Sequence, residues 1–439
     1  MKKISYIFKE RSITNIIWLM SDSILRLGLG FVINVWLARY LGPTEFGSFN
    51  YSFAIIAIYS AVASLGMNGV VVRELVRGDV DNAVIMGTSL VIQVLGSLSS
   101  VVLVILTVMV LRPHEPTLML AVICMLPSVL FRSSDIIKYW FESTVSSKYT
   151  VISQNIAFFI SAFIKMVVIY CGGSYYLIAA TVSLEAFILA ILLFFFYKKK
   201  NRMLRWGFDY HEAKRLLSIS WPLVLSGVAL MLYMRIDQIM IGNIIGDAAV
   251  GIYSVAVKMV EVWYFIPVAI VSSLFPKIIQ LREVSKERYN ERLQFLYDLL
   301  VIIGVFLALV ITSISDYIIS LLYDHHYFEA SRIIKLYAWV SVFYFLSSAS
   351  GRWYINEGLQ KYALSRNLAG LLIGVILNYI LIPKYGAEGS VYATLIAFGC
   401  AGYLFDALSK KTRCAFIQKS KALWLPGNVF RLITYYKGN

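Results

Sequence analysis

Charged residues are scarce in this sequence. Only 15% of its 439 residues are Asp, Glu, Lys or Arg, whereas 59% are hydrophobic and the mean hydropathy is +0.73. A soluble protein of this length could not cover so much apolar surface. Because long apolar runs recur along the whole chain, the sequence predicts an all-α integral membrane protein that crosses the bilayer many times.

Residues that could support catalysis or metal binding are also few. The four cysteines have no CxxC spacing and three lie in or beside apolar runs, so we interpret them as small core residues. The four histidines fall in predicted loops, and the sequence contains no GxxxxGK[ST], HExxH or GxSxG motif. We therefore expect no enzyme activity, no metal site and no cofactor.

Apolar runs of roughly 20 residues are long enough to cross the hydrocarbon core as helices. Such runs, bounded by Gly, Pro and charged residues, predict twelve transmembrane helices, near residues 13–39, 48–71, 84–110, 117–141, 149–171, 174–197, 216–242, 250–276, 293–314, 332–351, 362–383 and 390–409. The basic N-terminus "MKKISYIFKERS" precedes an apolar segment without a convincing cleavage site, so we expect the first span to be retained.

The lysines and arginines favour an orientation with both termini in the cytoplasm. In that orientation 28 of the 40 cationic residues fall in cytoplasmic segments, and only Arg39, Arg112, Arg332 and Lys384 fall outside. The net charge of +15 is therefore explained by topology, and we expect no nucleic-acid partner. The basic, aromatic-rich C-terminal segment is expected to lie along the cytoplasmic membrane surface.

An internal repeat divides the chain near its middle. The segments "LGPTEFGSFNYS" (41–52) and "IGDAAVGIYSVA" (245–256) both place a second glycine five residues after the first, and "KYGAEGSVYA" (384–393) is a weaker copy. Two parallel six-helix repeats are typical of transporters that bind a solute between their halves. The predicted domains are an N-terminal bundle, a basic cytoplasmic linker, a C-terminal bundle and a basic tail, at 1–197, 198–215, 216–409 and 410–439.

Several charges lie deep within the predicted spans, where burial is costly. Asp22 and Arg26 are four residues apart on one helix face, and Lys258 and Glu261 are three apart. Arg235 and Asp237 diverge by about 200° on an ideal helix, so they cannot pair well with each other, and their span must border a polar cavity.

Two further groups of charges lie within the predicted spans, besides Arg132 and Asp135, which lie toward a cytoplasmic end. Lys165 and Glu185 also lie within apolar spans. Five further charges lie near predicted membrane faces, where we expect them to reach water and to carry no function: Lys138, Lys335, Arg366, Asp298 and Asp406.

Two interpretations of the deep charges remain open. They could form ion pairs that only fix helix packing, or they could line a cavity for an anion, because arginine's planar fork suits phosphate. Aromatic side chains within the spans could stack on sugar rings or simply pack between helices. These aromatic residues are Trp263, Tyr264, Trp339, Phe343 and Tyr344.

Residues 37–77 and 233–278, which contain "LARYLGPTEFGSFNYS" and "YMRIDQIMIGNIIGDAAVGIYS", resemble the signature regions of Wzx-type polysaccharide flippases. These proteins form the oligosaccharide branch of the multidrug/oligosaccharidyl-lipid/polysaccharide exporter superfamily. The resemblance implies two six-helix bundles in a V-shaped, MATE-like alternating-access fold in the bacterial inner membrane. It also implies transport of an undecaprenyl-diphosphate-linked oligosaccharide to the periplasmic leaflet for O-antigen or another surface polysaccharide.

Within that resemblance, substrate contacts are expected from Arg26, Arg235, Lys258 and Lys165, and charge tuning or ion coupling from Asp22, Asp237, Glu261 and Glu185. The implied partners are membrane lipids, a polysaccharide polymerase and a chain-length regulator. A multidrug antiporter of the same superfamily is the alternative, although its cargo is usually cationic. A membrane glycan polymerase is the alternative from another class, but it would commonly need a large external loop.

Overall fold

The computed structural model of the chain describes residues 2–201, 206–282 and 284–437, with side chains described within 26–433. The described residues form α-helices joined by short turns and 3₁₀ segments, and none of them lies in a β-strand. The first half contains α1 Lys2–Ala63, α2 Met67–Arg77, α3 Asn82–Leu111, α4 Pro116–Met125, α5 Pro127–Phe131, α6 Asp135–Ser143, α7 Lys148–Tyr170 and α8 Tyr175–Lys200.

The second half contains a further nine helices among the described residues. They are α9 Tyr210–Ile244, α10 Asp247–Glu261, α11 Phe265–Arg282, α12 Lys286–Leu322, α13 Glu329–Tyr337, α14 Val340–Asn356, α15 Gln360–Gly402, α16 Arg413–Leu423 and α17 Leu425–Lys437. The predicted linker 198–215 thus overlaps the end of α8 and the start of α9.

Local chemistry explains why several helices begin where they do. The bilayer core offers no hydrogen-bond partners, so a spanning segment must satisfy its own backbone groups as a helix. Asp81 caps α3 by accepting a hydrogen bond from the Ala83 amide at 3.0 Å, and Ser285 caps α12 by accepting from Arg288 N at 3.3 Å. Pro116 begins α4, where its missing N–H costs nothing.

Nine helical segments within the described residues are long and apolar enough to cross a membrane, or ten when the bent pair α13–α14 counts as one span. Two of them, Arg26–Arg77 with 52 residues and Gln360–Ala407 with 48, are far longer than the roughly 20 residues that one crossing needs. Each of these two segments is long enough for two crossings. The count of twelve stays a prediction.

Glycines interrupt both long segments. Gly42 has φ 67° and ψ 175°, and Gly386 has φ 64° and ψ −144°, so both lie in a region that residues with a Cβ rarely adopt. Gly246 occupies the equivalent place between α9 and α10 with φ 118°. The three copies of the glycine motif thus mark three similar helix breaks.

The longest apolar helices keep much of their surface exposed. Along α3 the side chains of Leu95, Val102, Leu106 and Val110 are each about half exposed or more. Such faces would drive aggregation in water. They are the expected lipid-facing surface of a membrane-spanning helix.

Contacts divide the chain into two compact units. The first unit comprises residues 1–41 and 48–235, and the second comprises 42–47 and 236–439. This contact boundary falls inside α9, between Arg235 and Ile236, and the predicted six-plus-six division of the sequence stays a prediction.

The first unit has a buried apolar cluster where α2, α3, α6, α8 and the start of α9 meet, including Met67, Ile136, Leu193 and Leu216. A charged network lies beside it. The guanidinium of Arg215 donates to Glu74 Oε2 at 2.7 Å and to Glu212 Oε1 at 2.6 Å, although Glu74 is only 2% exposed. This network ties the first turns of α9 to α2.

The second unit is built around α12, which packs against α11, α13, α14 and both C-terminal helices. The C-terminal helices are held by charged anchors. Arg431 of α17 donates to both carboxylate oxygens of Asp298 at 2.7 and 2.8 Å, and Lys419 of α16 forms an ion pair with Asp406 at 2.6 Å. The tail is therefore part of the folded unit.

The two main copies of the glycine motif pack against each other within the second unit. A Cβ on Gly47 would lie 1.7 Å from the carbonyl oxygen of Asp247, and a Cβ on Gly251 would lie 2.1 Å from that of Pro43. Each copy thus presents its second glycine to the backbone of the other copy. The repeat proposed from sequence has a physical basis in this reciprocal close approach.

Candidate substrate-binding and coupling residues

Arg26 and Asp22 lie on α1. Arg26 Nη2 donates to Oε1 of Gln154 on α7 at 3.4 Å, a long hydrogen bond between neutral and charged groups. Gln154 was not recognised from sequence, because an amide in an apolar span carries no charge signal. The side chain of Asp22 lies outside the described residues.

Lys165 of α7 and Glu185 of α8 attract each other electrostatically across two helices of the first unit that pack along their length. Both side chains are partly exposed. The structure thus places near each other two charges that lie 20 residues apart on different helices and that sequence spacing does not relate.

Arg235 and Asp237 belong to different contact units, the first and the second respectively. Asp237 is 6% exposed; its Oδ1 accepts from the Gln238 amide at 2.8 Å, and its Oδ2 accepts a short hydrogen bond from the Tyr253 hydroxyl of α10. The prediction that each of the two charges needs its own partner agrees with this geometry for Asp237.

Polar and aromatic groups surround the Asp237–Tyr253 pair within the second unit. Ser390 and Thr394 of α15 lie beside the Tyr253 hydroxyl. The rings of Tyr253 and Tyr337 pack edge to face, with their centroids 6.1 Å apart. Asp237 therefore lies in a buried polar cluster built from three helices, of which the sequence had indicated only the aspartate.

Lys258 and Glu261 lie on α10. The Lys258 ammonium lies 5.2 Å from the ring centroid of Phe46, close enough for a cation–π interaction. Glu261 acts electrostatically on Tyr337 and Tyr344. Both charges lie on one helix, as their spacing predicts, and the structure adds an aromatic neighbour to each.

The aromatic residues divide between packing and exposure. Tyr264 is 8% exposed and its ring stacks on that of Tyr344, with centroids 3.8 Å apart and planes 11° apart. Trp263 and Trp339 are each 37% exposed. Tyr264 therefore packs against another ring, whereas the side chains of the two tryptophans are partly exposed on the protein surface.

Three of the five charges expected at water are buried, so that expectation was wrong for them. Asp298 is 1% exposed, Asp406 is 0% and Arg366 is 7%, because α14, α15, α16 and α17 close over their end of the second unit. Lys138 and Lys335 do stay partly exposed, in ion pairs with Asp135 at 2.6 Å and with Asp316 at 2.7 Å.

No group of three or more His, Cys, Asp or Glu side chains among the described residues is arranged to hold a metal ion. All four cysteines are free. Each unit thus offers cations and hydrogen-bonding groups within apolar helices, and such groups can contact an anion.

Proteins of known structure share this fold along nearly the full chain. Lipid II flippase MurJ in an inward closed conformation matches with a TM-score of 0.73 at 17% identity, covering 97% of this chain and 93% of its own. A multidrug resistance MATE family transporter of the MOP superfamily, in an inward-facing conformation, matches with a TM-score of 0.72 at 12% identity, covering 91% and 95%.

Sequence relatives point the same way. A protein of Haloferax volcanii, described as a probable low-salt glycan biosynthesis flippase, Agl15, is 21% identical over 396 residues, covering 86% of this chain and 79% of its own. The MatE family model matches residues 222–380, and the model of the family described as polysaccharide biosynthesis protein matches residues 12–282. Because this last match spans more than half of the sequence, the chain belongs to the polysaccharide biosynthesis protein family.

Proposed function

We propose that this protein is a flippase that moves a lipid-linked oligosaccharide across the membrane. The observation that carries the proposal is the family match over residues 12–282, and the similarity to a glycan biosynthesis flippase over 86% of the chain supports it. The chain is a transporter and not an enzyme. Its finer identity, as an O-antigen or other surface-polysaccharide flippase for undecaprenyl-diphosphate-linked repeat units, belongs to the same proposal.

The charges within the spans explain how such a cargo would be recognised. A diphosphate carries its negative charge at the junction between the sugar and the lipid, and charge-assisted hydrogen bonds to it are about twice as strong as neutral ones. At an effective dielectric of about 20, a charge pair 4 Å apart gains about 4 kcal/mol, compared with about 1 kcal/mol in water. We assign the diphosphate contacts to Arg26, Lys165, Arg235 and Lys258.

The acidic residues would set the net charge along the path that the substrate follows. Asp237, which the Tyr253 hydroxyl holds in place, is the strongest candidate for exchanging a proton or a cation during transport. Glu185 would moderate the charge of Lys165, with which it interacts. Asp22 and Glu261 are proposed to act in the same way on Arg26 and Lys258.

The proposed location is the bacterial inner membrane, with both termini in the cytoplasm. The proposed partners are the surrounding lipids, a polysaccharide polymerase and a chain-length regulator. The polymerase would consume the repeat units that the flippase delivers.

Multidrug export is the second candidate, and the MatE match over residues 222–380 favours it. A cationic drug, however, would be repelled by a route that contains Arg26, Lys165, Arg235 and Lys258. We therefore expect expression of this chain to leave the cellular accumulation of cationic dyes unchanged.

Deletion of the gene in its native host, with complementation, tests the flippase proposal. Wild type should restore surface glycan, whereas Arg235→Ala should reduce transfer of repeat units to the outer leaflet about 10–100-fold, the equivalent of one lost charge-assisted hydrogen bond. Arg235→Lys should retain part of the activity because it keeps the charge. The exposed Arg352→Ala serves as the matched control and should behave like wild type.

The assay follows lipid-linked repeat units in each leaflet. Accumulation of intact units on the cytoplasmic side in the Arg235→Ala strain supports translocation. Units that reach the outer leaflet without this protein, but remain unpolymerised, would mean that the chain is not the flippase.

A further inference from the structure

A second group of buried charges lies away from the proposed transport residues, at one end of the second unit. We call it the C-terminal charge cluster, and it comprises Tyr354 of α14, Arg366 of α15, Asp406 of the 3₁₀ segment after α15, and Lys419 of α16. All four side chains are buried. The cluster is independent of the transport function proposed above.

Three members of the cluster are joined by hydrogen bonds. The Lys419 ammonium donates to Asp406 Oδ2 at 2.6 Å and to the carbonyl oxygen of Gly402 at 2.6 Å, and the Tyr354 hydroxyl donates to Asp406 Oδ1. Each oxygen of the Asp406 carboxylate therefore accepts one hydrogen bond, one from a cation and one from a neutral donor.

Arg366 has no such partner. Its guanidinium carbon lies 5.2 Å from the centroid of the Tyr354 ring, and its Nη1 makes no hydrogen bond to any described residue, although the side chain is only 7% exposed. Buried charges are costly unless they are paired and hydrogen-bonded. A water molecule could satisfy the N–H group but would leave the positive charge uncompensated.

Two other carboxylates of the second unit, Asp298 and Glu357, form their ion pairs with other arginines. Asp298 accepts two hydrogen bonds from Arg431, and Glu357 accepts from Arg282 at 2.8 Å. The cluster therefore holds two cations, Arg366 and Lys419, but only one carboxylate. Burial lowers the pKa of Lys419 to about 8, so near neutral pH the ammonium still carries most of its charge.

We propose that Arg366 binds a small inorganic anion, such as a halide or phosphate, between α14 and α15. The anion supplies the negative charge that the C-terminal charge cluster lacks and completes the hydrogen bonding of the guanidinium. The near-complete burial of Arg366 favours a small free ion over the headgroup of a lipid. Because the cluster joins α14, α15 and α16, the bound anion stabilises the docking of the C-terminal helices.

Thermal unfolding of the purified full-length protein in detergent, followed by tryptophan fluorescence at pH 7, tests this site. Samples are compared at one ionic strength in sodium chloride, sodium phosphate or sodium gluconate. Gluconate is the control, because this anion is too large for a buried site. At ten times Kd, chloride or phosphate should raise the Tm of wild type by about 1–2 °C relative to gluconate. The difference should vanish in Arg366→Gln and persist in the exposed control Arg352→Gln.

Comparison of the two variants separates specific binding from general salt effects, which stabilise all variants alike. An equal Tm increase in Arg366→Gln, or no increase in wild type with either small anion, would overturn the proposal. Stabilisation by anionic phospholipid, with no effect of chloride or phosphate, would also overturn it.

Bromide anomalous scattering from wild-type crystals gives a second measurement that does not depend on the folding of Arg366→Gln. A bromide peak beside the Arg366 guanidinium supports the site. Bromide peaks elsewhere but none at Arg366 contradict a halide site, and the same crystals grown with phosphate and showing no density beside the guanidinium would contradict the phosphate form.

Discussion

Asp237 and Asp406 are both buried aspartates of the second unit, and each accepts a hydrogen bond from a tyrosine hydroxyl, Tyr253 or Tyr354. A tyrosine donor satisfies a carboxylate without adding a positive charge. Asp406 also has the cation of Lys419 within 2.6 Å, which makes it a structural ion pair. Asp406 is therefore held by one cation and one neutral donor, and Lys419 is the group of this pair whose titration can be tested.

Lys419 provides a test of the ion pair at the residue scale. Burial lowers its pKa from 10.5 to about 8 in the folded protein, although Asp406 opposes this change. Between those two values the unfolded chain binds more protons than the folded chain, so this residue should make stability rise with pH over that window. Tm measured from pH 7.5 to 10.5 should rise more for wild type than for Lys419→Met.

The comparison is made as a difference between the two Tm profiles, which removes the titration of residues common to both. Parallel profiles would show that Lys419 keeps an ordinary pKa and that its burial is relieved by local opening.

The glycine motif acts at the scale of helices, because its second glycine allows two backbones to approach. The carbonyl of Asp247 leaves no room for a side chain at Gly47, and Pro43 leaves none at Gly251. Ala at either position must separate the two segments, and we expect a loss of about 1–3 kcal/mol of stability, typical of overpacking. Thermal or denaturant unfolding in detergent measures it.

Gly351→Ala is the matched control for this prediction. Gly351 lies inside α14, and a Cβ there would meet nothing within 4 Å. The substitution should therefore leave stability unchanged or raise it by up to about 1 kcal/mol, through better helix propensity. If Gly47→Ala and Gly351→Ala behaved alike, the close approach of the two motifs would not exist in solution.

Helices and the glycine repeat could be predicted from sequence because both depend on local patterns, namely apolar length and glycine spacing. Partners of buried charges could not, because they come from other helices. Gln154 lies 128 residues from Arg26, and Tyr354 lies 52 residues from Asp406. The expected access of Arg366 and Asp406 to water was wrong for the same reason, because residues of other helices, Tyr354 and Lys419, cover them.

For the whole molecule, charge distribution and helix lengths both bear on the number of crossings. The lysines and arginines favour an alternating layout. Near the C-terminus, the number of crossings depends on whether the 48-residue segment Gln360–Ala407 spans the membrane once or twice. A straight helix of that length would measure about 72 Å, more than twice the roughly 30 Å hydrocarbon core. We predict that the break at Gly386 is a turn at the outer surface, with Lys384 beside it.

Cysteine labelling in intact cells tests this layout. In a variant whose four native cysteines are replaced by serine or alanine, a cysteine at Lys384 should react with a membrane-impermeant maleimide added outside. Cysteines at Lys361 and Lys411, which lie on either side of the 48-residue segment, should react only after the cells are permeabilised. Labelling of all three positions from one side would contradict two crossings, because the two flanks and the middle must then share a compartment. Labelling of Lys361 and Lys411 from opposite sides would mean a single crossing and would place the C-terminus outside, against the distribution of cations.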